Sequence, residues 1–127
     1  ALDSALTPMA IRFDSPTENT RTHALGYSYS EDPNLMYCAE DMTTEGAHNW
    51  WLPSCDLSGG SSGGAWTQAT GDLGSGPVMS VNSWGYTTGS GMAGPFLNGN
   101  NASCLFERAK TGGPDNLADG EAGIVGC

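Results

Sequence analysis

The run Cys55-Asp56-Leu57-Ser58-Gly59-Gly60-Ser61-Ser62-Gly63-Gly64-Ala65-Trp66 sets two adjacent serines between two glycine pairs. A serine hydroxyl can attack a carbonyl carbon. Glycines let the backbone bend so that peptide N–H groups converge on the negative oxygen which that attack creates. Gly60-Ser61-Ser62-Gly63-Gly64 holds these parts in a usable order. The same run also fits a plain turn, with Ser62 one more solvated hydroxyl. The chemical reading needs a base, because a serine hydroxyl is a poor nucleophile at neutral pH without one in hydrogen-bond reach. The chain has two histidines, His23 and His48. His48 stands beside Asn49-Trp50-Trp51, in a segment expected to wall the site, and is the local candidate. His23 falls on a strand, where a partly buried structural histidine is the ordinary reading.

These groups need elements to hold them. Pro8-Met9-Ala10-Ile11-Arg12-Phe13 is an apolar burst closed by Asp14-Ser15-Pro16 and reads as a first strand. Thr22 to Tyr27 reads as a second strand and Leu35 to Cys38 as a third, with a turn of small and acidic residues from Ser28 to Pro33. Glu40 to Gly46 reads as an acidic loop, and His48 to Leu52 leads into the serine run. Ala65-Trp66-Thr67-Gln68 leaves that run as a strand, Pro77 to Trp84 is the clearest strand, and Gly85 to Gly94 is a Gly/Thr-rich loop. Ala102 to Lys110 is the one helix, with Leu105, Phe106 and Ala109 on a shared face and Lys110 at its C-terminal end. The expected architecture is all-β: a small barrel of about six strands over 8–110 with a short C-terminal helix. Residues 1–7 read as a linker remnant and 111–127 as a Gly-rich tail. A barrel puts the serine run at a strand-to-strand corner.

Composition narrows the classes. The chain has 127 residues, enough for one domain with a modest core. It carries 19 Gly and 7 Pro, which suits many turns, and 4 Trp, which supply apolar area that disordered chains lack. Fourteen acidic residues against four Lys and Arg give a net charge of −10, which argues against nucleic acid and anionic membrane surfaces. No run of about 18 apolar residues is present, so no membrane span is expected. Ala1 does not open a signal peptide, and the numbering is expected to start after processing or inside a longer chain.

Cys38, Cys55, Cys104 and Cys127 are spaced too widely for a zinc knuckle, and the histidines form no matching pair, so no metal site is expected. An even count in an acidic, tryptophan-rich chain reads as two disulfides formed in an oxidising, extracellular compartment. Three pairings are possible. Short loops cost least to close, which favours Cys38 with Cys55 and Cys104 with Cys127. Asn101-Ala102-Ser103 is an N-glycosylation acceptor triplet.

Gly60-Ser61-Ser62-Gly63-Gly64-Ala65 resembles the Gly-Asp-Ser-Gly-Gly-Pro signature of chymotrypsin/trypsin-like serine endopeptidases, with Ser61 for the Asp and Ala65 for the Pro. Ser83-Trp84-Gly85 matches the Ser-Trp-Gly strand of that family. Leu25-Gly26-Tyr27 is similar to the strand and turn that open the second barrel in its glutamyl-endopeptidase-like branch. Gly94-Pro95-Phe96 and the closing helix follow in the family's order. Taken together the motifs span about 8–110.

The resemblance implies the second, C-terminal Greek-key barrel of the two-barrel fold, six antiparallel strands with a short helix, acting by peptide-bond hydrolysis without a cofactor. It implies Ser62 as nucleophile and the N–H groups of Gly60 and Ser62 as the oxyanion hole. It places the Ser83 carbonyl and the Gly85 backbone on the substrate main chain, with Trp84 as a pocket wall and Gly94 also at the pocket. Asp56 stands six residues before Ser62, where trypsin-like members hold a carboxylate that binds Arg or Lys. Those members place a cysteine nearer the serine, whereas Cys55 precedes Asp56 here, so Asp56 also reads as a turn or capping residue.

The departures weigh as much. The family's histidine and aspartate come from the first barrel, yet only 61 residues precede Ser62. Asp3 superficially resembles the aspartate of that barrel, but its interval to Gly26 is too short. Ser61 cannot accept the ion pair from a new N-terminus that activates many members. Ile124-Val125-Gly126 matches the usual activated start only by coincidence, being at the wrong end.

The expected protein is therefore the C-terminal half of a secreted endopeptidase. It is inactive until an N-terminal barrel or another chain covers its exposed apolar face, and it then acts on polypeptides. A non-catalytic extracellular binding or structural module derived from such a protease is the alternative, with Cys127 able to bridge to another chain. A carbohydrate-binding β-domain would use the aromatics but leave the Gly60–Gly64 and Ser83–Gly85 motifs as accidents.

Overall fold

The computed structural model describes residue 5 and residues 7–68, 75–99, 101–110 and 127. Asp3, Ile124-Val125-Gly126, and most of the expected linker and tail lie outside the described residues.

Among the described residues, seven strands and one α-helix follow in order: β1 Arg21–Tyr27, β2 Leu35–Asp41, β3 Thr43–Glu45, β4 Asn49–Leu52, β5 Ala65–Thr67, β6 Val78–Val81, β7 Met92–Pro95 and α1 Ala102–Lys110, with a short 3-10 turn at Tyr29–Glu31. They pair as two antiparallel sheets, β2-β1-β5-β6 and β3-β4-β7. The chain beyond β6 joins the sheets, since Trp84 forms an antiparallel bridge to Ala93 of β7. The Ser80 hydroxyl adds a bond to the Pro95 carbonyl at 2.8 Å. The expected all-β class with one short helix stands. The strands number seven in two sheets, and their pairing closes no ring among the described residues.

Alternation explains β1. Thr22, Ala24 and Gly26 are buried while Arg21 and Tyr27 are exposed, so successive side chains divide between core and outside. The core gathers Trp66, Met42, Leu52 and Met79, all essentially inaccessible, with Trp50, Leu57 and Met92 beside them. A buried side chain of this size contributes roughly 1.5–3 kcal/mol by leaving water.

Three segments depart from the expected elements. Pro8 to Phe13 is no strand: only Ile11 bridges to Val78, with Val78 N–H bonded to the Ala10 carbonyl at 2.7 Å. Flanking prolines leave too little chain there for a ladder. The acidic loop instead contains β3, whose two threonines suit a half-exposed strand although no apolar alternation announces it. The Gly/Thr-rich loop ends in β7, where Met92, Ala93 and Gly94 are all buried, so a period of two is lost.

The helix occupies the expected span. None of its residues is buried, and Phe106 meets Phe13 at a ring distance of 5.5 Å. Disulfides join Cys38 to Cys55 and Cys104 to Cys127. The first ties β2 to the chain leaving β4, at the start of the serine run.

Candidate active site

The serine loop is a tight turn between Cys55 and β5. Ser61 N–H donates to the Ser58 carbonyl at 3.1 Å, and Gly64 N–H to the Ser61 carbonyl at 3.0 Å. Gly60 has φ of +100°, a left-handed conformation that only glycine adopts cheaply, and a Cβ there would come within 3.1 Å of the Tyr27 carbonyl oxygen. Gly64 is fixed by proximity: a Cβ would stand 1.8 Å from the Leu25 carbonyl oxygen. The loop therefore lies flat against the C-terminal end of β1.

Behind it is Asn82, 2% exposed. Its Oδ1 accepts from the Trp66 indole N–H at 2.6 Å, which leaves Nδ2 to donate to the carbonyls of Leu25 at 2.8 Å and Ser61 at 3.0 Å. Its own carbonyl accepts from Gly63 N–H, and its N–H donates to the Gly64 carbonyl, each at 2.8 Å. One side chain and its backbone thus tie together β1, β5 and the serine loop.

In front of the loop is a cavity of about 340 Å³. Residues 55–59 with Ser61 and Ser62 form one side, and 83–87 with 89–92 form the other. The two sides are held together by a bond from Gly91 N–H to the Cys55 carbonyl at 3.0 Å. Ser62 is exposed to this space. The N–H groups of Gly60 and Ser62 have no acceptor among the described residues, while those of Ser61 and Gly64 close turns within the loop and that of Gly63 bonds the Asn82 carbonyl. Across the cavity, Trp84 uses its N–H and carbonyl on Ala93. That leaves the Ser83 carbonyl and both backbone groups of Gly85 without a partner among the described residues.

Asp56 is the one charged side chain lining the cavity, and it has no hydrogen bond or ion pair among the described residues. The far wall is aromatic. Trp84 and Tyr86 line it, and Trp51, which does not border the cavity, packs against both, the three rings meeting at 5.3–6.0 Å; a Cβ on Gly91 would fall 2.0 Å from the Trp51 indole. The Tyr86 hydroxyl donates to Glu45 at 2.8 Å, and this bond holds its pKa above the ordinary tyrosine value.

Of the sequence-derived candidates, Asp56, Ser62, Ser83, Trp84 and Gly85 border the cavity. Gly60 sits within the loop between two lining residues, Gly59 and Ser61. Gly94 does not border it. It is buried on β7 opposite Trp50, where a Cβ would stand 2.4 Å from the Ser80 hydroxyl, so the position serves sheet packing. Asn101 is exposed at the start of α1 and donates to the Cys127 carbonyl at 3.3 Å. Neither histidine borders the cavity. His48 is exposed between β3 and β4, and His23 lies on the outer side of β1 with a buried Nδ1 that has no partner among the described residues. Asn82 and Tyr86 were not singled out by sequence, whereas the segment holding Trp51 was expected to wall the site. The signal for Asn82 was present: a polar residue closing an apolar strand directly before Ser83-Trp84-Gly85.

No family model matches the sequence, and no curated protein matches it. Solved structures similar to the chain include a thermostable serine protease, AL20, from an extremophilic microorganism, with a TM-score of 0.70 and 31% identity over 84% of this chain. They also include the protease Anisep from Arthrobacter nicotinovorans, with a TM-score of 0.62 and 27% identity over 76% of this chain. The chain spans 50% and 46% of their lengths, respectively. The likeness supports a trypsin-like protease fold and a protease-derived domain.

Proposed function

We propose that the chain is the nucleophile-bearing, C-terminal barrel half of a secreted trypsin-like serine endopeptidase of the glutamyl-endopeptidase-like branch. The observation that carries this reading is the pairing of an exposed Ser62 with two N–H groups, on Gly60 and Ser62, that no described acceptor uses. In the proposed reaction Ser62 Oγ attacks the scissile carbonyl, its proton passes to a base, and those N–H groups stabilise the resulting oxyanion. The Ser83 carbonyl and Gly85 backbone hold the substrate main chain. Asp56, facing a cavity with no other charged side chain among the described residues, favours a cationic side chain there.

The base comes from a partner, since neither histidine reaches the cavity. The partner's seat is the outer face of β1 and β2. Tyr27 is paired with Leu35 and Leu25 with Tyr37, which places all four on that face, and Tyr27, Leu35 and Tyr37 are 55%, 55% and 60% exposed. The face adjoins the serine loop, because Gly60 packs on the Tyr27 carbonyl and Gly64 on that of Leu25. The occupant is an N-terminal barrel, on the same polypeptide or a separate one, of about the size of the half of AL20 that this chain does not span.

The absent base also favours a second reading, a protease-derived extracellular module that binds without hydrolysing. Treatment with a fluorophosphonate followed by intact-mass analysis separates the two. Protein isolated from its source with its accompanying polypeptide should gain one adduct, on Ser62. A folded protein that gains none with its partner present rejects the enzyme in favour of the module.

A further inference from the structure

A planar trans peptide unit points its C=O and N–H in opposite directions, so anchoring a carbonyl aims the next residue's N–H. Two units of the serine loop are anchored in this way. The Gly59 carbonyl accepts from Tyr29 N–H at 2.8 Å, which turns Gly60 N–H away from the 28–31 segment. The Ser61 carbonyl accepts from Asn82 Nδ2 at 3.0 Å, deep in the interior, which turns Ser62 N–H outward. The Asn82 amide cannot flip without leaving the Trp66 indole N–H facing another donor. The Tyr29 anchor has its own support: the Ser28 hydroxyl, on a residue 1% exposed, accepts from Ser58 N–H at 3.0 Å.

We infer that Asn82 and the Tyr29 backbone N–H are positioning groups that aim the two oxyanion donors, holding Ser62 N–H and Gly60 N–H ready before any substrate binds. This inference rests on the proposed hydrolytic reading and adds to it residues that touch no substrate. Preorganised donors are effective because no reorganisation is left for the moment of reaction, and losing one such donor typically slows the chemical step by roughly 10²–10³-fold.

The test uses Asn82→Asp, which keeps the shape but replaces the Nδ2 donor with an acceptor. It is joined by Tyr29→Pro, which removes the N–H after a residue already in the extended conformation that precedes proline comfortably. Tyr29→Ala is the control, since it loses the ring but keeps the N–H. On the full chain, amide order parameters for Gly60 and Ser62 should be those of rigid backbone in wild type and Tyr29→Ala, and should fall in Tyr29→Pro and Asn82→Asp. In protein that reacts with a fluorophosphonate, the labelling rate and kcat should fall by about 10²-fold or more in the same two variants, with KM changed little. If Asn82→Asp does not fold, the Tyr29 pair decides. Unchanged order parameters in folded Tyr29→Pro overturn the inference, as does a labelling rate within twofold of wild type. Failure of wild type to label with its completing half present counts against the hydrolytic reading instead, and the order parameters still decide the aiming.

Discussion

The serine loop and the outer face of β1 and β2 adjoin along β1, and their chemistry is opposite. On the loop, the N–H groups of Ser61 and Gly64 close turns, that of Gly63 bonds the Asn82 carbonyl, the Ser61 carbonyl is held by Asn82, and two N–H groups have no acceptor among the described residues. On the outer face, Tyr27, Leu35 and Tyr37 stand in water, and His23 buries a nitrogen with no partner among the described residues. On the proposed reading, the contrast separates what the chain would do alone, which is to present a nucleophile and its donors, from what must be added, which is a base.

The sharpest way to break the contrast is to damage the finished region. Gly64→Ala forces a Cβ into the Leu25 carbonyl, a backbone atom that cannot swing aside, and should cost at least about 3 kcal/mol in denaturant unfolding or prevent folding altogether. Opening the Cys38–Cys55 link by alanine substitution at both positions frees a loop of 17-residue separation in the unfolded chain. It should cost about 3 kcal/mol by the same measurement.

Substitutions on the unfinished face should act in reverse. Tyr27→Ser, Leu35→Ser and Tyr37→Ser are expected to change the stability of the chain alone by only about 0.5 kcal/mol each, as surface changes do. Yet they should weaken assembly with the completing half, read by sedimentation of the two together.

The smallest effect lies at the cavity's aromatic wall. Because the bond to Glu45 raises the Tyr86 pKa, its stabilisation is present below the ordinary tyrosine value and is lost as pH rises through the raised one. Glu45→Gln should bring the Tyr86 titration, followed by ultraviolet absorbance, back toward the ordinary value with little loss of stability.

Much of this was legible in the order of residues. Turn chemistry marked the serine loop, and the strands with a clean apolar rhythm, β1, β2 and β6, stood near their expected places. Two strands were hidden for opposite reasons: β3 is too polar to show a buried face, and β7 is buried on both faces. Gly94 is packed against Ser80 and Val81 and does not border the cavity, and a glycine demanded by such packing reads in sequence like one demanded by a ligand. Asn82 escaped notice because its importance lies in contacts to Leu25 and Ser61, 57 and 21 residues away, which no local pattern records.

The central claim is that Ser62 is a prepared nucleophile whose base arrives on a partner. Intact-mass analysis after fluorophosphonate treatment, run on the isolated chain and on protein carrying its completing half, tests it most directly. The account predicts no adduct on the chain alone and one adduct on the completed protein, lost in Ser62→Ala. An adduct on the isolated chain would contradict the need for a partner. A folded, completed protein that stays unlabelled would contradict the nucleophile.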